Sequence, residues 1–255
     1  MSEQTKIEWT DSTWSPIVGC ARVSEGCRNC YAERLTARFS GIKGHKFYGV
    51  SSNTPQGPRW TGQVRLVEKD LDKPLHWRKP RKIFVCSTSD LFHERVEIEW
   101  LDRIFAVMTE ARRHTFQVLT KRPKIMRDYM LSRYCFPMTM PDKKPPENVW
   151  LGVSVEDQAA ADERIPLLLQ TPAAIRWISA EPLLGPVDIQ YSAFNGADSL
   201  SGMEGISWLV AGGESGPGAR PCDIRWIRSI RDQCGAARVA CFVKQLGARP
   251  VVPGT

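Results

Sequence analysis

Short apolar runs, many of them rich in β-branched residues, recur along the chain. They are Ile17-Val18, Ile83-Phe84-Val85, Phe116-Gln117-Val118-Leu119, Val149-Trp150-Leu151-Gly152-Val153, Ile175-Arg176-Trp177-Ile178, Trp208-Leu209-Val210-Ala211 and Val239-Ala240-Cys241-Phe242-Val243. Their length and near-continuous apolarity predict buried strands. Between most of them the period changes to that of a helix. Residues 99–113 set Leu101, Ile104, Phe105 and Met108 on one face, residues 157–169 end in an apolar run, and residues 223–234 space Ile224, Ile227 and Ile230 three apart. A further segment reads as helical from Tyr31 onward.

Strand and helix thus alternate about seven times, which predicts parallel strands joined by right-handed crossovers. The fold class is α/β, either a doubly wound sheet or a full or partial (β/α) barrel, and the barrel is favoured. Two stretches break the alternation. Residues 40–80, rich in Gly, Pro, Trp and basic residues, read as an insertion, and the Ser/Gly-rich residues 191–206 read as loop.

The chain has 255 residues, 42% of them hydrophobic, which suits a single domain over 1–255 with the insertion at 40–80. The opening MSEQTKIEWTDSTW has no basic stretch followed by an apolar one, and no apolar run reaches about eighteen residues. A soluble, cytoplasmic protein without membrane contact is expected. In a reducing compartment, eight cysteines point to metal binding or chemistry more than to disulfides. A net charge of +7 favours polyanionic partners, with DNA, RNA or a nucleotide as the natural class.

In barrels and open α/β sheets the ligand site lies at the carboxyl ends of the strands. The residues that follow the runs are Cys20, then Cys86 to Asp90, then Lys121-Arg122, then Ser154 and Glu156, then Glu181, then Gly212-Gly213-Glu214, and finally Lys244-Gln245. If the barrel holds, Cys20, Cys86, Asp90, Lys121, Glu156, Glu181, Glu214 and Lys244 converge on one mouth. Taken singly, each is as well explained by the polarity of loops.

The most specific signal is Cys20, Cys27 and Cys30, three cysteines within eleven residues in the pattern C-x6-C-x2-C. The Cys27/Cys30 spacing lets two thiolates reach one metal or cluster, and Cys20 can supply a third ligand. A structural zinc site is normally closed by four protein ligands, and no Cys or His follows soon after Cys30. Three thiolates suit a [4Fe-4S] cluster with one open iron. Zinc and unmetallated thiols remain alternatives.

The loop from Cys20 to Cys30, followed by Tyr31-Ala32-Glu33 in a βα-repeat chain, resembles the cluster loop of the radical S-adenosylmethionine (SAM) superfamily, whose usual spacing is C-x3-C-x2-C. The Cys-Tyr pair is similar to the spore photoproduct lyase branch. Across almost the whole chain, IEWTDSTWSPIVGC, GCRNCYAERL, STSDLFHE, TKRP, GVSVE, ISAEPLLG, GGESGPGARP and FVKQLG resemble a phage- and prophage-encoded family of uncharacterised function that carries this three-cysteine loop. The radical SAM resemblance implies a partial (β/α)6-type, TIM-like barrel, a [4Fe-4S] cluster on Cys20, Cys27 and Cys30, and SAM bound to the open iron. It further implies reductive cleavage to methionine and a 5′-deoxyadenosyl radical that takes hydrogen from a substrate, with an electron donor protein as partner.

For the SAM that this resemblance implies, the strand-end residues Ser154, Glu156, Glu181, Gly212, Gly213 and Glu214 are the candidate binding residues. Gly212-Gly213-Glu214 resembles the superfamily's Gly-Gly-Glu, although here it follows the sixth run instead of the second. Cys86 and Lys121 are the candidate catalytic residues, Cys86 as a hydrogen-atom donor and Lys121 as a holder of phosphate or carboxylate. Their plain readings are a small buried hydrophobe and a surface cation. The other cysteines, Cys135, Cys222, Cys234 and Cys241, read as structural. Residues 59–82 interleave Trp60 and Trp77 with Arg59, Arg65, Arg78, Lys79, Arg81 and Lys82, which suits phosphate contact with base stacking, or else tryptophans packed against the barrel. The expected function is a radical SAM-like enzyme acting on a nucleic acid or nucleotide. The alternative is a zinc-stabilised, non-catalytic nucleic-acid-binding phage accessory protein.

Overall fold

The computed structural model describes residues 5–135, 144–194, 203 and 205–252. The chain forms two compact units, Met1–Leu119 and Thr120–Thr255.

The first unit runs through β1 (Ser12–Trp14), β2 (Ile17–Val18), a single 3-10 turn (Glu25–Cys27), α1 (Tyr31–Ala37), β3 (Ser51–Thr54), β4 (Gly57–Trp60), β5 (Arg65–Leu66), α2 (Glu68–Leu71), α3 (Lys73–His76), β6 (Lys82–Val85), α4 (Ile98–Glu110) and β7 (Thr115–Thr120). β1, β6 and β7 are parallel neighbours in that order, with Thr13 opposite Phe84 and Phe84 opposite Gln117. The alternate positions Trp14, Ile83, Val85, Phe116 and Val118 are buried, and the Trp14 and Phe116 rings lie 5.7 Å apart. α4 buries Leu101, Ile104, Phe105 and Met108, the face its periodicity predicts.

Ile17-Val18 departs from expectation. It pairs antiparallel with β5, and the parallel strands begin one element earlier, at Ser12-Thr13-Trp14. That strand escapes the apolar-run criterion because Trp14 is its only apolar residue; Ser15-Pro16 then separates it from Ile17. The 40–80 segment is also more than loop. β3 and β4 form a hairpin, and Val18, Phe47, Val50 and Val67 make a small core of their own, against which Phe39 and Trp60 pack.

The second unit contains α5 (Pro123–Tyr134), β8 (Val149–Ser154), α6 (Gln158–Leu169), β9 (Ile175–Ala180), α7 (Ile189–Phe194), β10 (Trp208–Gly212), β11 (Cys222–Asp223), α8 (Ile224–Ala236), β12 (Ala240–Gln245) and β13 (Pro250–Val251). β8, β9, β10 and β12 are parallel neighbours in that order, so seven strands of the chain, three and four in the two units, run parallel to their neighbours. The helices start where chemistry dictates. Asp157 caps α6 by accepting from the Ala160 N–H at 2.9 Å, Asp223 caps α8 through the Arg225 N–H at 2.8 Å, and Pro123 opens α5.

The register puts Gly152 beside Trp177 and Trp177 beside Trp208. The two indoles stack at 4.9 Å, and Trp150 meets Trp208 edge-on at 6.0 Å. A Cβ on Gly152 would stand 2.6 Å from the Trp177 ring, so the glycine makes room for the flat indole. The loop expected at 191–206 is helical up to Phe194; residues 195–202 and 204 lie outside the described residues. Among the described residues no helix is long and apolar enough to cross a membrane.

Candidate metal loop and strand-end residues

Gly19 introduces the cysteine loop with φ +91°, the left-handed region that glycine tolerates. It bridges Ser89 in parallel, and a Cβ there would fall 1.9 Å from the Gln63 carbonyl oxygen. Cys20 follows directly. Cys27 ends the 3-10 turn, and Cys30 occupies the N-cap position of α1. All three are half-buried, and none is in a disulfide. The Cys20 thiol donates to the Ala21 carbonyl at 3.4 Å, and Cys27 Sγ lies 4.0 Å from Ser24 Oγ.

Two residues to which the sequence assigned no role of their own, Glu33 and Tyr31, organise this loop. Glu33, buried in α1, accepts from Arg22 Nε at 3.1 Å and from Arg22 Nη2, and its other oxygen accepts from the Trp60 backbone N–H at 2.7 Å. Tyr31 donates its hydroxyl to the Ser87 carbonyl. The available signal was Glu33 itself, a carboxylate among Ala32, Thr36 and Ala37 on the buried side of a short helix.

The connection after β6 runs beside this loop. Besides the Gly19–Ser89 bridge and the Tyr31–Ser87 bond, Ser89 Oγ donates to the Ile17 carbonyl at 2.7 Å, and the Cys86 N–H donates to the Trp14 carbonyl at 2.7 Å. Cys20 and Cys86 therefore belong to neighbouring connections. Cys86 is 3% exposed with φ +57°, and burial pushes its thiol up to about 12. Asp90 is buried and accepts from the Phe92 N–H at 3.0 Å. Ser15 Oγ and Thr88 Oγ1, also buried, have no hydrogen-bond partner among the described residues.

In the second unit each of the expected carboxylates has a cation of its own. Glu156 forms a buried ion pair with Arg164 of α6, receiving Nη1 at 2.9 Å, while the same Nη1 donates to the Ser154 carbonyl at 2.8 Å. Glu181 accepts from Lys244 Nζ at 2.7 Å and Gln245 Nε2 at 3.1 Å. Both donors sit inside β12, not after it. Glu214 takes a fork from Arg220, Nε at 3.0 Å and Nη2 at 2.7 Å, as well as the Arg220 N–H at 2.9 Å.

Gly212 and Gly213 answer to packing. A Cβ on Gly213 would stand 2.6 Å from the Leu246 carbonyl oxygen and 2.8 Å from Gly247 Cα, and one on Gly212 would meet the Gln245 carbonyl oxygen at 3.2 Å. Lys121, half-exposed, follows β7 immediately. In the basic segment Trp60 packs on the small core, and Arg81 lies 4.8 Å over the ring of Trp77, so neither indole is an open stacking platform.

Among the described residues, no three His, Cys, Asp or Glu side chains stand as a ready metal site. The donor set fits an iron-sulfur cluster by its chemistry: three thiols outside any disulfide, on a loop anchored at Gly19 and Cys30. Between these anchors the main chain makes the local bonds Cys27 to Ser24, Arg28 to Glu25 and Cys30 to Cys27, each spanning a single turn.

Residues 4–252 match the family described as "Protein of unknown function (DUF5131)". No curated protein and no solved structure matches the chain.

Proposed function

The chain belongs to the DUF5131 family, and from that premise we propose that it is a radical SAM-like enzyme acting on a nucleic acid or nucleotide. In this reading Cys20, Cys27 and Cys30 hold a [4Fe-4S] cluster, on a partial (β/α)6-type barrel built from the parallel strands. The cluster with bound SAM supplies a 5′-deoxyadenosyl radical. The observation that carries the reading is the pairing of an anchored three-thiol loop with the Cys86–Asp90 connection beside it.

The chain's own residues then have definite tasks. Arg22 and Glu33 fix the direction of the loop, and Tyr31 ties it to Ser87. Burial keeps the Cys86 thiol protonated, the state required of a hydrogen-atom donor. The unpartnered hydroxyls of Ser15 and Thr88 are available to a polar ligand. Lys121, half-exposed, suits a carboxylate or phosphate, whereas Glu181 is engaged by Lys244 and Gln245. Glu156 with Ser154, and Glu214 with Gly212 and Gly213, serve the packing of the second unit, because their groups are engaged by Arg164, Arg220 and the β12 end. A reduced cluster calls for an electron donor protein.

The test is anaerobic reconstitution with iron and sulfide, followed by electron paramagnetic resonance of the reduced protein with and without SAM. A [4Fe-4S] signal that SAM perturbs and that Cys27→Ala abolishes supports the reading. A zinc-loaded protein that assembles no cluster overturns it in favour of a structural thiol site.

A further inference from the structure

We propose that the open cleft of about 440 Å³ between residues 44–48 and 65–69 is a subsite for one nucleotide of a single strand, its base on the Tyr48 ring and its phosphate between Arg65 and Lys69. This rests on the substrate class proposed above and deepens it.

Charge within the cleft is unevenly compensated. Lys46 is committed to Asp70 at 2.9 Å, and Glu68 to Arg103 at 2.5 and 2.9 Å. Arg65, by contrast, donates only to neutral acceptors: the Tyr48 carbonyl, the Lys46 carbonyl at 3.3 Å and Gln63 Oε1 at 3.4 Å. Its full positive charge remains for an anion, and exposed Lys69 lines the same cleft. The walls are largely apolar. Leu66 and Val67 lie along one side, and His45, stacked on Phe39 at 4.7 Å, lies along the other. Tyr48 stands 41% exposed at the rim, an aromatic surface that Trp60 and Trp77 do not offer. An aromatic face, apolar walls and two cations without carboxylate partners match a base with its phosphate. An acidic peptide would use the cations and leave the ring idle.

The probe is a fluorescein-labelled single-stranded oligothymidylate, followed by anisotropy with the intact protein. Cluster and SAM are left out, so the result is independent of the enzyme reading. Tyr48→Ala is expected to weaken binding roughly 5- to 150-fold, the range of a lost base-stacking contact. Tyr48→Phe keeps the ring and retains affinity, and Lys69→Ala lowers the slope of log K against log salt by about 0.7. Thermal melts matching wild type exclude a folding defect in the variants.

If the wild type binds but Tyr48→Ala and Lys69→Ala bind equally well, the cleft assignment falls and the substrate class stands. If polyglutamate displaces the oligonucleotide equally well, the site is a general anion site and the assignment falls. If the wild type does not bind at all, both cleft and substrate class fall, while the resonance experiment still decides the enzyme.

Discussion

Arg22, inside the cysteine loop, docks its guanidinium on the buried carboxylate of Glu33, and that carboxylate also receives the backbone of Trp60. One side chain thus joins the thiol loop, helix α1 and the β3–β4 hairpin. Glu33→Ala strands a backbone N–H and a half-buried cation, at an expected cost of about 1–3 kcal/mol in chemical denaturation. The same variant should retain less iron after reconstitution than wild type, whereas a distant exposed substitution such as Glu110→Ala should retain as much.

Thiol accessibility separates Cys86 from the loop. With its thiol pushed up to about 12 and 3% exposed, Cys86 should resist iodoacetamide at pH 8 in the folded protein while Cys20, Cys27 and Cys30 react. Peptide mapping by mass spectrometry reads the sites. Labelling of Cys86 at a rate equal to theirs would remove it from the buried connection described above.

Cys234 of α8 and Cys241 of β12 are neighbouring thiols that perturb one another. The hydrogen bond from Cys234, aided by the charge of Arg231, brings Cys241 down to about 7, and the same bond together with burial drives Cys234 upward. Alkylation of Cys241 should therefore rise through about pH 7. Cys234→Ala should move that midpoint back towards the ordinary thiol value of about 8.5.

The expectation that strands at 83–85, 116–119, 149–153, 175–178 and 208–211 lie parallel in an α/β fold is met, because continuous apolar runs mark strands buried on both faces. The strand at Ser12–Trp14 was not legible, since two of its three residues are polar. Glu156 and Glu214 read as open strand-end groups for a related reason. Their partners Arg164 and Arg220 lie eight and six residues downstream, beyond a turn whose direction only the folded chain defines. Cys20, Cys27 and Cys30 were legible because their spacing is local.

Gly152→Ala should be costly despite adding one methyl group. The new carbon would stand 2.6 Å from the ring of Trp177, which is fully buried and stacked on Trp208. Such overpacking costs roughly 1–3 kcal/mol, visible as a lower denaturation midpoint with a weakened near-ultraviolet tryptophan signal. An unchanged midpoint would mean that the indole is free to shift.

Asp70 supplies a pH test. Burial pushes its carboxyl up, but hydrogen bonds from Lys73 at 2.5 Å and Lys46 at 2.9 Å, with their charges, outweigh this and hold it below the usual carboxylate range. The folded value lies below the unfolded value of about 3.9. The stabilisation is therefore fully present above about pH 4 and is lost as pH falls through the folded value. Asp70→Asn should lose about 1–3 kcal/mol at neutral pH, and its stability should depend less on pH below about 4 than that of wild type.

Gly19 and Cys30 are fixed points, one wedged against the Gln63 carbonyl and the other set at the start of α1. Arg22 is tied as well, to Glu33, and the stretch beyond it behaves as slack in a rope between two knots. The free energy of closing such a segment grows only logarithmically with its length, by about 0.6 kcal/mol per doubling. The six-residue gap between Cys20 and Cys27 is therefore an inexpensive place for the chain to carry extra residues. Short insertions between Arg22 and Glu25 should spare both anchorages, whereas a single residue added between Cys27 and Cys30 would rotate one sulfur out of line with the other.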